Sequence, residues 1–304
     1  MVSLARMDAS IRLSEITMSY RRLGEGPLLV LLHGWPETSH CWRKIAPILA
    51  RQFTVVAPDL RGYGATDKPT ARQSSSAHGY SKRRMAQDIR ELVDALGYDR
   101  VQLVGHDRGA RVAHRFALDH ADVLDRLTVL DIAPTLHMFR NGTVQTAAGF
   151  WHWLFHQRSD LPELLVGPNI DAYLSYFFNE WAHQRIPAQE ALTEYVAAYS
   201  QPGALRASFD DYRATAQDLE DDQGDFDAGH ILRDPVQVLW GEYGLVGGTR
   251  VLDAWKPFAP KAFGGTVESC GHFIPEERPD ELARLLLEYH GPDAGAVAPP
   301  SARG

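Results

Sequence analysis

The sequence predicts an α/β fold: a mostly parallel sheet flanked by helices, with a helical cap inserted between two of its strands. Three observations predict it. Short continuous apolar runs alternate with segments of helical periodicity, the pattern of a parallel sheet covered on both faces. Between Pro134 and about His230 the strand-like runs stop and aromatic-rich helical segments replace them, including Trp151, Trp153, Tyr173, Phe177 and Trp181. The run Val104-Gly105-His106-Asp107-Arg108-Gly109 joins an apolar stretch to a helical pattern through a turn flanked by glycines.

In chain order, residues 11–22 alternate loosely and predict an opening antiparallel hairpin. Residues 27–32 and 53–57 are continuous apolar runs and predict strands buried on both faces. Helices are predicted over 45–51 and 81–96, the latter carrying Met85, Ile89, Leu92, Val93 and Leu96 at helical spacing. Residues 100–104 predict the strand before the glycine-flanked turn, and 110–119 the helix after it. Another buried strand spans 126–130 and ends at Asp131; the next spans 236–240, and a closing helix 279–289. The resulting division is a core of residues 1–134 and 231–290, a cap of 135–230, and a Gly-, Ala- and Pro-rich tail of 291–304 expected to be disordered. A helical dimerisation arm is the alternative reading of 135–230.

Bulk properties narrow the function. With 304 residues and a hydrophobic fraction of 44%, the chain can bury a substantial core. A net charge of −8 argues against nucleic acid or an anionic membrane as partner, yet leaves room for an anionic substrate in a locally positive pocket. Cys41 and Cys270 are the only cysteines, too few for a disulfide framework and without metal-site spacing. A reducing cytoplasmic setting is expected, since no signal peptide or membrane span is evident. The acidic stretch 210–227 is expected to be a solvated surface.

The glycine-flanked turn carries the chemistry. A strand, tight turn and helix form a nucleophile elbow, which lifts one side chain above the carboxyl edge of a sheet. Here that side chain is the carboxylate of Asp107. A carboxylate in this position attacks carbon and forms an alkyl ester, which water must then cleave. His272, in the loop before the last helix, is the expected base for the second step. The orienting acid is expected at Asp131, because Glu242 sits too close to its strand end. The His33-Gly34-Trp35-Pro36 loop can aim the Trp35 backbone N–H at the developing oxyanion, together with the N–H of Arg108.

Arg108 and Arg111 lie three residues apart at the start of a helix and share a face beside the nucleophile. Arg115 and Arg126 read as ordinary solvated arginines. If the substrate is itself a carboxylate, two anions about 4 to 5 Å apart repel by roughly 3 to 4 kcal/mol at an effective dielectric near 20. Charge-assisted bonds to arginine supply roughly 1.5 to 3 kcal/mol each, so two offset that repulsion. Neutral haloalkanes or epoxides have no use for such a pair.

These residues resemble the fluoroacetate (haloacetate) dehalogenases of the α/β-hydrolase superfamily. The most specific segments are His106-Asp107-Arg108-Gly109-Ala110-Arg111, Val129-Leu130-Asp131-Ile132, Trp151-His152-Trp153 and Asp211-Tyr212-Arg213-Ala214. The resemblance implies that Asp107 displaces halide, and that His272, oriented by Asp131, activates water against the ester. It implies Arg108 and Arg111 as the substrate-carboxylate site, and His152, Trp153 and Tyr212 as halide donors. It also implies Trp181 as a pocket wall, no cofactor, no metal and a homodimer. Met138 falls where such chains often carry an aromatic cluster, and is expected to line the pocket; Phe209-Asp210-Asp211 is more acidic than the family pattern. The rival reading is an epoxide hydrolase with the same nucleophile, in which Tyr212 would protonate the epoxide oxygen.

Overall fold

The computed structural model describes residues 7–70, 79–183, 189–247 and 250–292. The expected disordered tail falls, from residue 293 on, outside the described residues. The eight strands described are β1 (Met7–Arg12), β2 (Thr17–Leu23), β3 (Leu28–Leu32), β4 (Thr54–Pro58), β5 (Val101–His106), β6 (Leu124–Leu130), β7 (Val236–Gly241) and β8 (Phe263–Val267). They form one sheet in the order β1-β2-β4-β3-β5-β6-β7-β8. The opening hairpin β1–β2 is antiparallel and joins β4 antiparallel, while β3 to β8 pair in parallel. Every residue of β3, β4 and β5 is buried; β3 runs apolar throughout, while β5 carries Gln102 and His106, each hydrogen-bonded inside.

The helices beside Asp107 follow from local signals. Ser81 caps the helix Lys82–Ala95 by accepting from the Arg84 N–H, and the buried face of that helix includes Met85, Ile89, Leu92 and Val93. The helix Arg108–Asp119 starts two residues earlier than the apolar periodicity indicated. The expected helix at 45–51 shrinks to Ala46–Leu49, preceded by a 3₁₀ segment Ser39–Lys44. Strand β8 has no counterpart in the sequence reading. Its Phe263-Gly264-Gly265-Thr266-Val267 lacks an apolar run, and only pairing with β7 makes it a strand.

Between β6 and β7 the described residues carry helices and no strand. Leu174, Phe177, Phe178, Trp181, Trp153 and Tyr212 from these helices belong to the same hydrophobic cluster as the sheet, so cap and core share one apolar interior. Two expectations fail here. The acidic stretch is not simply solvated: Asp211 and Asp218 are buried, at 0% and 5% exposure. Arg115 is likewise buried, at 2%, and meets Asp119, Asp222 and Asp225. The helix Thr215–Asp227 thus lays acids against the basic residues of the two helices below it, a long-range match that its own sequence could not show. No described helix is long and apolar enough to cross a membrane.

Candidate active site

Asp107 sits between β5 and the helix Arg108–Asp119 with φ 47° and ψ −115°, a backbone conformation that costs a non-glycine residue about 1–3 kcal/mol. The turn needs its glycines. A Cβ on Gly105 would lie 2.5 Å from Ala110 Cα, and one on Gly34 would lie 2.4 Å from Asp107 Cβ. The tight turn leaves the Asp107 side chain 14% exposed at the carboxyl edge of the sheet. The Trp35 backbone N–H donates to Asp107 Oδ1 at 2.9 Å.

The structure brings Asp107, His272 and Asp131 together from three distant parts of the chain. His272 Nε2 lies 3.9 Å from Asp107 Oδ2, and His272 Nδ1 lies 2.6 Å from Asp131 Oδ2. Asp131, with φ 51°, also accepts from the backbone N–H groups of Gly241 at 3.2 Å and Leu245 at 2.9 Å. Three donors hold this carboxylate in one rotamer, so the imidazole presents Nε2 toward the nucleophile. Glu242 is occupied elsewhere, accepting from the Ser269 N–H at 2.9 Å. Burial works against charge on Asp107 but is outweighed by the positive field of His272, His106, Arg108 and Arg111, so its carboxyl stays below the usual range. It is ionised at neutral pH.

Arg108 is 1% exposed and Arg111 5%. Arg108 donates from Nε to Asp211 Oδ2 at 3.0 Å, and from Nη2 to Asp211 Oδ1 at 2.8 Å and to the Asp211 carbonyl at 2.9 Å. Its Nη1 has no partner. Asp211 also accepts from the Tyr63 hydroxyl at 2.7 Å and from Lys82 Nζ. Arg111 donates only to neutral groups: the Ala133 carbonyl at 3.1 Å, Thr135 Oγ1 at 2.9 Å and Met138 Sδ at 3.3 Å. Its Nε is unpartnered. Burial, then the neighbouring Arg108, push the Arg111 guanidinium down to about 10, still charged at neutral pH but under electrostatic strain. Met138 and Trp153 also line an adjoining apolar cavity of about 390 Å³, so the thioether stands between that space and Arg111.

The Trp153 ring lies under both guanidinium groups, 4.9 Å from Arg108 Cζ and 4.5 Å from Arg111 Cζ, and the Tyr212 ring is 4.2 Å from Arg108 Cζ. Trp181 packs 4.7 Å from His152 and 5.4 Å from His272, centroid to centroid, and its carbonyl accepts the His272 N–H at 2.8 Å. Burial pushes His152 down to about 3, so it is a neutral imidazole whose Nδ1 has no partner. The Trp153 indole N–H is spent on Thr215 Oγ1 at 2.8 Å. A halide role for Trp153 would require giving up that bond.

With three loops assembled around one buried aspartate, the fold can be matched to known proteins. A family profile described as the alpha/beta hydrolase fold matches residues 27–279. The chain belongs to the α/β hydrolase family. This hydrolase is 38% identical to a fluoroacetate dehalogenase from Burkholderia sp over 285 residues, 92% of each chain. It is also 38% identical to a soluble epoxide hydrolase from Corynebacterium sp. (strain C12) over 280 residues, 90% of this chain and 94% of the other. Among solved structures it is similar to the epoxide hydrolase CorEH, with a TM-score of 0.87, 35% identity and coverage of 95% and 99%.

Several residues that build this hydrolase's site escaped the sequence reading. Asp211 and Lys82 fix Arg108 from positions 103 and 26 residues away in sequence. His106 Nε2 donates to the His272 carbonyl at 2.8 Å, while its Nδ1 meets Glu37 Oε2 at 3.1 Å, tying the oxyanion loop, the elbow and the histidine loop to one buried ring. Burial works against charge on that ring and is outweighed by Glu37. Glu277 accepts from the N–H groups of Gly271, Phe273 and His183, so it shapes the loop carrying His272. Only the first turn of the helix Ile274–Glu277, with Pro275 at its second position, hints at Glu277; the others carry no local signal. Among the described residues, no group of three or more His, Cys, Asp or Glu side chains is arranged to hold a metal ion.

Proposed function

We propose that this hydrolase cleaves the carbon–halogen bond of small 2-halocarboxylates, fluoroacetate foremost, to give the 2-hydroxy acid and halide. The observation that carries this reading is a pair of buried guanidinium groups beside the nucleophile, one held by neutral partners only and both with an unspent N–H nitrogen. Burying a cation without a counter-anion is costly, and a substrate carboxylate supplies the missing charge. In the first step an Asp107 oxygen attacks the carbon, the C–X bond breaks, and the electron pair leaves with the halide. In the second, His272 takes a proton from water, the hydroxide adds to the Asp107 ester carbonyl, the alkoxide leaves with the proton returned by the imidazolium as the hydroxy acid, and Asp107 loses its remaining proton to solvent. The Trp35 N–H, already on Asp107 Oδ1, stabilises the oxyanion of that second step.

The epoxide-hydrolase reading has one observation in its favour, the buried Tyr212 packed near His152 and Trp35. The two readings separate in one assay: halide release from fluoroacetate and chloroacetate beside diol formation from styrene oxide. We expect halide and glycolate; diol without halide would overturn the proposal. In heavy-oxygen water, a single turnover should leave label in Asp107 and none in the first glycolate. His272→Asn should release one halide per site and then stop, with the ester detectable by mass. A second copy of the chain is proposed to cover the cap residues Leu161, Leu164 and Leu165, which are 45%, 70% and 53% exposed. Leu164→Glu should then shift the mass in solution from dimer to monomer.

A further inference from the structure

We propose that Met138 is an oxidation site: a peroxide converts its thioether to the sulfoxide, which then takes an Arg111 donor that the substrate carboxylate would use. The inference rests on the reading of this hydrolase as a 2-halocarboxylate enzyme and deepens it by naming a control on the same site. The first observation is the partner that Arg111 keeps. Its Nη2 donates to Met138 Sδ at 3.3 Å, and its other acceptors are the Ala133 carbonyl and Thr135 Oγ1. A thioether sulfur is a weak acceptor, so this bond is readily given up to a carboxylate. A bond to a sulfoxide oxygen is held more firmly.

The second observation is access. Met138, on the helix Thr135–Arg140, is half-buried and lines the apolar cavity of about 390 Å³, whose wall also includes the exposed Phe139 and Leu154. A molecule the size of hydrogen peroxide can therefore approach the sulfur from that side. Competing targets in the interior are closed off. Met18 and Met85 are buried, and burial pushes the thiols of Cys41 and Cys270 up, away from the reactive thiolate. In the reaction the peroxide O–O bond breaks and one oxygen bonds to sulfur. The sulfur is oxidised by two electrons and the peroxide is reduced to water. An oxygen added toward Arg111 requires the sulfur to draw back, and the cavity beside it supplies that room. The polar sulfoxide then competes with the incoming carboxylate for Nη2.

The test compares each protein with itself before and after hydrogen peroxide. Peptide mass mapping should show an added oxygen on Met138 earlier than on Met18 or Met85. With Met138 oxidised in wild type, KM for chloroacetate should rise on the order of tenfold while kcat changes less than about threefold, since a carboxylate donor is lost and the reacting groups are not. Methionine sulfoxide reductases should restore KM together with the unmodified mass. Met138→Leu, whatever its own KM, should keep that value through the same treatment; if this variant fails to fold, the reductase rescue of wild type decides. No oxidation at Met138, an unchanged KM with Met138 fully oxidised, or an equal peroxide response in Met138→Leu would overturn the inference. Absence of halide release by untreated wild type from either haloacetate would instead remove the reading beneath it.

Discussion

The two arginines at the start of one helix live in opposite surroundings. Around Arg108 every charge is answered: Asp211 takes two of its nitrogens, Lys82 and Tyr63 complete the Asp211 shell, and Asp218 lies 3.9 Å from Lys82 Nζ. Around Arg111 there is a carbonyl, a hydroxyl and a thioether. The same residue type thus serves two ends. Arg108 is held rigidly by partners that also neutralise it, and it offers one directed Nη1. Arg111 keeps an unbalanced charge in a buried place, and on the proposed reading a substrate carboxylate answers it. A clamp built from two neutralised arginines would bind an anion weakly; one built from two unanswered ones would not fold well.

The comparison breaks most visibly at Asp211. Asp211→Ala strands Arg108 and Lys82 as buried cations, and we expect about 3–5 kcal/mol less stability, read from denaturant unfolding. A loss below about 1 kcal/mol would mean that the Arg108 region is not the self-neutralised one. Arg111→Leu should do the reverse, leaving stability nearly unchanged while lowering kcat/KM for haloacetate on the order of 10², the loss of one charged bond of up to about 3 kcal/mol. Equal damage to folding from both changes would erase the distinction. Turnover of a neutral epoxide, where measurable, should be indifferent to Arg111→Leu.

A smaller effect sharpens the electrostatic contrast away from the site. Burial pushes Asp222 up to about 7, with Arg115 Nη1 at 3.6 Å compensating only in part. The folded chain therefore holds that proton more tightly than the unfolded chain does. Its stability is highest below the ordinary carboxyl value near 4 and declines as pH rises toward 7. Asp222→Asn should raise the unfolding free energy on the order of 1 kcal/mol at pH 8 and change little at pH 4. A gain confined to acid pH would show the sign to be wrong.

Much of the fold was legible in the sequence because parallel strands buried on both faces run nearly apolar, as residues 28–32 and 55–57 do. The edge strand β8 was not, since Gly264 and Gly265 carry no apolar signal and the neighbour β7 supplies the pairing. In the site, Asp107 could be read from its flanking glycines, His272 from its place before the last helix, and Arg108 and Arg111 from their spacing. Lys82, Asp211 and Glu277 could not, because an acid meant for a buried cation has the same composition as one meant for water.

What the sequence determined by itself was the local chemistry: a carboxylate on a strand-to-helix turn, a histidine loop, and a pair of arginines on one helical face. These depend on short-range backbone geometry, which a few neighbouring residues specify. Only the tertiary structure decided which of those charges are answered and which donors are left free. That outcome depends on side chains as much as 148 residues apart in sequence, as Tyr63 and Asp211 are, meeting in a dry interior. There an unpartnered group is costly enough to betray what it waits for.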